Sequence, residues 1–141
     1  MKVSKHFNLQ ELVDKETFQR FGGASEWFLD PKAVAVLEAL RSEFGSCTVN
    51  DWSWGGNLQY RGFRPIHCEV GGKYSQHRFG RAFDCNFKLA TPDEVRSHIL
   101  RNQEKWLDLG LTTIEDGKYS PTWLHMDIRK TNMNSIFIVK P

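Results

Sequence analysis

The chain has almost no charge of one sign to spare: 19 basic and 17 acidic side chains leave a net charge of +2 over 141 residues. A dedicated nucleic-acid binder concentrates basic residues on one face, so nucleic acid is not an expected partner. Long hydrophobic runs are absent too, and none approaches the roughly 20 residues of a membrane span. The opening Met1-Lys2-Val3-Ser4-Lys5-His6 leads into a polar segment and lacks the apolar stretch of a secretory signal, so synthesis in the cytoplasm is expected. Cysteines number three, with no C-x-x-C pair, which supports neither a disulfide framework nor a cysteine zinc ribbon. Cys47 and Cys85 stand in apolar surroundings and are expected to be buried thiols. Repeats, low-complexity stretches and linkers are missing, so residues 1–141 are expected to form a single domain, working as a monomer.

What is present is enough for a core. Hydrophobic residues make up 40% and charged residues 26%, an ordinary globular mix. The five Trp predict polar partners between aromatics, because a buried indole N–H needs an acceptor. Leu9, Leu12, Val13 and Phe18 suggest a helix over 8–21, ended by Gly22-Gly23. Asp30-Pro31 opens a clearer one, with Ala33, Val36, Leu37, Leu40 and Phe44 inward and Gly45 at its end. Residues 47–52 predict a strand, and residues 52–74, with five Gly, a long loop of the kind that tends to be functional. A second strand is expected over 82–87. Thr91-Pro92-Asp93-Glu94 is a capping-box helix start, and that helix should run to about Leu107 with Val95, Ile99 and Trp106 inward. Residues 112–116 and 122–129 predict a hairpin around Gly117, and 136–139 one more strand. This order implies an α+β fold with a mostly antiparallel sheet and flanking helices.

Two segments carry chemistry. In Ser75-Gln76-His77-Arg78-Phe79-Gly80-Arg81-Ala82-Phe83-Asp84, Gly80 permits a sharp turn that brings His77 and Asp84 towards one point. In Trp123-Leu124-His125-Met126-Asp127, strand alternation puts Trp123, His125 and Asp127 on one face. Two imidazoles and a carboxylate suit zinc and leave its fourth tetrahedral position for water, whose pKa zinc lowers from about 15.7 towards about 7. Spacing alone is weak evidence, since it also fits a hydrogen-bonded surface His77 and a satisfied core His125.

Ser75-x-His77-x-x-Gly80-x-Ala82-x-Asp84 resembles, at all five fixed positions, the signature of the zinc D-Ala-D-Ala carboxypeptidase family. That family includes phage cell-wall endopeptidases and is structurally akin to the hedgehog signalling domain. Gly62-Phe63-Arg64 looks like its Gly-Tyr-Arg element, and Val70-Gly71-Gly72 like its Val-Gly-Gly lead-in. Trp123-Leu124-His125-Met126-Asp127-Ile128-Arg129 is similar to the Trp-x-His-x-Asp-x-Arg strand of one branch. The likeness spans roughly residues 48–129.

The resemblance implies a hedgehog or D-Ala-D-Ala peptidase-like fold and Zn2+ held by His77, Asp84 and His125. It implies that Arg64 binds a substrate carboxylate or polarises the scissile carbonyl, a task suited to a guanidinium fork. Ser75 is expected to brace the loop near Asp84, and Trp123, with Arg64 and Ser75, to contact substrate. The substrate expected is a peptidoglycan stem peptide, and the five Trp and the 55–72 loop are expected to shape its groove. A phage or prophage origin, as a lysis or virion-associated enzyme acting on the bacterial wall, fits the family's habits.

One departure bears on mechanism. Several members carry an acid three residues before the third ligand, where this chain has Thr122. Glu115, Asp127 and His67 are the candidates to replace it as general base, with Asp127 alternatively orienting a ligand or pairing with Arg129. The rival expectation is a non-catalytic zinc-binding module of the same fold.

Overall fold

Helices begin where a short polar side chain can take up an orphaned backbone N–H. The structure, a computed structural model, describes residues 1–141. Asp14 caps α1 (Lys15–Phe21), accepting from Thr17 N at 3.0 Å, and Asp30 caps α2 (Pro31–Phe44), accepting from Lys32 N at 2.9 Å. The reciprocal Thr91–Glu94 capping box opens α3 (Pro92–Arg101) as predicted. Removing such a cap costs about 1 kcal/mol.

Two predicted helices are divided. The segment over 8–21 splits into a 3-10 turn, Leu9–Glu11, and α1, because Asp14 adopts an extended backbone to serve as cap. The helix from Thr91 breaks at Asn102 (φ −130, ψ 41), whose side-chain amide donates to the His98 carbonyl at 2.8 Å, and resumes as α4 (Gln103–Leu109). Local bonding by an Asn side chain competes with the helical ladder in this way.

The fold is α+β, with four α-helices and a five-stranded, mostly antiparallel mixed sheet. Strands β1 (Cys47–Thr48), β2 (Ala82–Phe87), β3 (Thr113–Glu115), β4 (Leu124–Asp127) and β5 (Phe137–Val139) lie in the order β1-β2-β4-β3-β5. β1 is shorter than the predicted 47–52 strand, since the chain turns into a 3-10 segment at Trp52–Trp54. β3 and β4 form the predicted hairpin, and β5 joins β3 in parallel, the one parallel pair.

Alternation divides the two faces of the sheet. Phe83, Cys85, Leu124, Met126 and Ile114 point into the core, where α2 packs against β2 and α3 against β4. Val95, Ile99 and Trp106 are fully buried there, as predicted. Trp106 departs from the expectation for indoles: its Nε1 is buried with no acceptor, whereas Trp52 Nε1 donates to the Val13 carbonyl at 2.8 Å. The three cysteines are free thiols, with Cys68 and Cys85 buried and Cys47 half-buried. No helix is long and apolar enough to cross a membrane.

Candidate metal centre

The opposite face of the sheet carries a polar row. Asp84 on β2 pairs directly with His125 on β4, and continuing the β3–β4 ladder by one residue from Ile114–Met126 sets Glu115 opposite His125. His77 reaches this row from a 3-10 turn, Gln76–Phe79, closed by Gly80 at φ +67. A Cβ on Gly80 would lie 1.9 Å from the Phe28 carbonyl oxygen, so the turn needs glycine both for its left-handed backbone and for its close approach.

His77, Asp84 and His125 are all buried, and one ligand atom from each lies within 4.8 Å of the others. Asp84 Oδ1 is 3.3 Å from His77 Nε2 and 2.9 Å from His125 Nδ1. The outer nitrogen of each ring is already committed. His77 Nδ1–H donates to the Gly62 carbonyl at 2.9 Å, and His125 Nε2–H donates to Asp127 Oδ2 at 2.8 Å. That leaves His77 Nε2 and His125 Nδ1 facing Asp84 Oδ1. A nitrogen, nitrogen, oxygen set with tautomers fixed from outside suits zinc. The site could hold a metal ion.

The electrostatics describe a cation-shaped place. Burial opposes the charge on Asp84, but the charges and hydrogen bonds of His77 and His125 outweigh it and hold the carboxyl well below the usual range. Burial alone would depress His125; its hydrogen bonds to Asp127 and Asp84 instead raise it to about 9. For His77 burial prevails over the attraction of Asp84, and its pKa falls. A divalent cation, if bound, would supply the positive charge that these protons otherwise provide.

The segment Arg61–Arg64 ties the ligands together. Asp84 N donates to the Arg61 carbonyl at 2.8 Å, and Arg64 N to the His77 carbonyl at 3.1 Å. Arg64 is buried; its Nε donates to the Tyr60 carbonyl at 2.6 Å and its Nη2 to Asp84 Oδ2 at 3.2 Å. Its guanidinium therefore braces the Asp84 carboxylate. Ser75 Oγ accepts from His77 N at 3.3 Å and so caps the turn that carries His77.

The three base candidates are placed differently. Asp127 is fully buried, its oxygens taken by His125 and by a two-pronged pair with Arg129 (2.9 and 2.6 Å), so it orients the His125 ring. His67 is carried away from the triad to another groove, where it meets Glu16 at 3.1 Å. Glu115 remains half-buried at the end of the polar row; burial raises its pKa, against the pull of His125.

A groove of about 430 Å³ runs past Asp84, lined among others by Tyr60, Arg61, Arg64, Asn86, Thr122 and Trp123. Trp123 is the one tryptophan on it: Trp106 is in the core, Trp52 packs on Phe18, and Trp27 and Trp54 are exposed elsewhere. Two residues here went unmarked in the sequence. Arg61 brings to the groove a guanidinium without a carboxylate partner. Arg96, buried on α3, donates to the carbonyls of Ser120 and Trp123 and so clamps the loop that enters β4. An arginine at a helical position gives no sign of reaching a distant loop, and only the spatial partners reveal it. No protein-family model, curated protein or solved structure matches the chain.

Proposed function

We propose that the chain is a zinc-dependent peptidase acting on a peptidoglycan stem peptide, of carboxypeptidase or murein endopeptidase type and of phage or prophage origin. The observation that carries this reading is the convergence of His77 Nε2, Asp84 Oδ1 and His125 Nδ1, with both rings fixed from behind, beside an open groove. The resemblance of the 75–84 and 123–129 segments to the wall-peptidase signature supplies the reaction class. Zinc, when bound, supplies a Lewis acid that polarises a peptide carbonyl and makes water a nucleophile near neutral pH.

The chain's own residues supply the rest. Glu115, facing His125 across the ladder, takes the proton from water at its carboxylate and returns it to the leaving amine; burial raises its pKa, which makes the carboxylate a stronger base than an exposed one. Arg64 keeps Asp84 in place through Nη2. Arg61, the groove cation without an acid partner, receives a carboxylate of the substrate, and Trp123 offers an apolar wall to a D-residue side chain.

The second reading is a non-catalytic zinc-binding recognition module. It draws on Thr122 standing where family members carry an acid, and on Asp127 being sealed behind His125. Purified protein incubated with stem peptides or murein, with and without chelator, separates the two. Chelator-sensitive release of D-Ala or of new amino groups supports the peptidase; one bound zinc with no release on any wall type supports the module and overturns the enzyme.

A further inference from the structure

The segment from Pro65 to Gly72 contains no helix or strand, yet it forms a partition. Val70 faces the groove beside the triad; Pro65, Ile66, His67, Glu69 and Gly71 line a second groove of about 920 Å³ on the other side. Its own backbone provides little order: Cys68 N to the Pro65 carbonyl at 3.0 Å is the hydrogen bond closed within it. Its carbonyls converge instead on one side chain. Arg78 Nε donates to Gly72 at 3.1 Å, Nη1 to Pro65 at 3.2 Å and Ile66 at 2.7 Å, and Nη2 to Cys68. Four backbone carbonyls thus surround one guanidinium that has no carboxylate partner.

Both ends of this arrangement reach the triad. Arg78 follows His77 in the same 3-10 turn. At the other end, Gly71 has φ +77, and a Cβ placed on it would lie 2.5 Å from Arg64 Nη1. The partition therefore rests bare backbone against the guanidinium whose Nη2 holds Asp84 Oδ2. We infer that Arg78 is a positioning residue: its guanidinium gathers the carbonyls of residues 65–72, seats Gly71 against Arg64, and through Arg64 fixes the carboxylate of Asp84. The planar fork is essential, because an ammonium is a point donor that cannot serve four carbonyls arranged around a plane. The inference rests on the metal reading of the triad, but its first link, the order of the partition, is independent of any metal.

The test uses the full chain and two variants, Arg78→Met and Arg78→Lys. A glutamyl endopeptidase that cuts after Glu69 reads the order of the partition in chelator-treated protein, and zinc titration reads the triad. Arg78→Met is expected to speed cleavage at Glu69 at least about tenfold, as loss of several charge-assisted hydrogen bonds implies, and to weaken zinc binding several-fold. Millimolar methylguanidinium should restore both, whereas a residue needed only for overall stability gives no such rescue. Arg78→Lys should show the same losses in smaller measure, and it carries the test if Arg78→Met fails to fold. Wild-type cleavage rates in the variants overturn the clamp. Faster cleavage with unchanged zinc affinity overturns its transmission to Asp84. If the parent protein takes up no zinc at all, the metal reading fails, while the cleavage rates still decide whether Arg78 orders the partition.

Discussion

The two grooves on either side of the 65–72 partition are unequal in opposite senses. The larger, about 920 Å³, is walled by Phe21, Phe28, Phe63 and Phe79 with a mixed-charge rim, on which His67 and Glu16 form an exposed pair at 3.1 Å. The smaller, about 430 Å³, touches Asp84 and through it the buried imidazoles of His77 and His125. Concave volume follows from how the turns around α1 meet the partition. Convergent chemistry follows from strand register, which sets Asp84, His125 and Glu115 in one row. The molecule thus places the larger of these two hollows and its candidate chemistry in different places, and polar atoms held in fixed tautomers are the better guide to function.

The comparison can be broken by mutation, beginning with the largest effect. His77→Ala removes a ligand and is expected to abolish stoichiometric zinc uptake and all hydrolysis, read by metal analysis of the dialysed protein. Full retention of zinc would mean that the metal lies elsewhere. Glu115→Gln should keep the metal and lower kcat by about 10²- to 10⁴-fold, the usual contribution of a general base; an undiminished kcat would remove Glu115 from the mechanism. Asp127→Asn unties the His125 ring and should weaken zinc binding by about 10- to 100-fold, measured by competition with a chromophoric chelator.

A pH effect of a few kcal/mol comes next. In chelator-treated protein the folded-state pKa of His125, about 9, lies above its ordinary 6.5. A raised pKa means that the folded state holds the proton more tightly than the unfolded one. The resulting stability is therefore fully present below about pH 6.5 and lost as pH rises through about 9. Zinc binding should strengthen over the same window, since the Nδ1 proton must leave. Thermal unfolding across this range, with and without zinc, reads both; a flat profile in the chelator-treated protein contradicts the buried His125–carboxylate arrangement. The smallest effect is expected at an exposed side chain of the larger groove that takes no part in the Arg78 clamp. Ile66→Ser, at a side chain 93% exposed, should change zinc affinity and hydrolysis by no more than about twofold, as surface substitutions generally do. A large loss there would extend the functional unit from the Arg78 clamp to the exposed rim of the larger groove.

Much of the candidate site was legible because its three converging residues sit in local motifs. Gly80 between His77 and Asp84, and the alternation through Trp123, His125 and Asp127, are short-range features that survive folding unchanged. The capping signals at Asp30 and Thr91 were legible for the same reason. Side-chain reach was harder to read. The hold of Arg64 on Asp84, from a position that also lines the groove, was not legible, nor was the cap that Ser75 places on the His77 turn; four of the five tryptophans lie away from the groove. Each of these depends on which loop a long or mobile side chain meets in space, and no periodicity encodes that. The break at Asn102 belongs with them, decided by one side-chain bond to the His98 carbonyl.

The central claim is that His77, Asp84 and His125 grip one ion, and zinc-edge anomalous diffraction from crystals grown with zinc addresses it most directly. A single strong peak bounded by His77 Nε2, Asp84 Oδ1 and His125 Nδ1 is the predicted result. A zinc-containing crystal with no peak among those three atoms would contradict it.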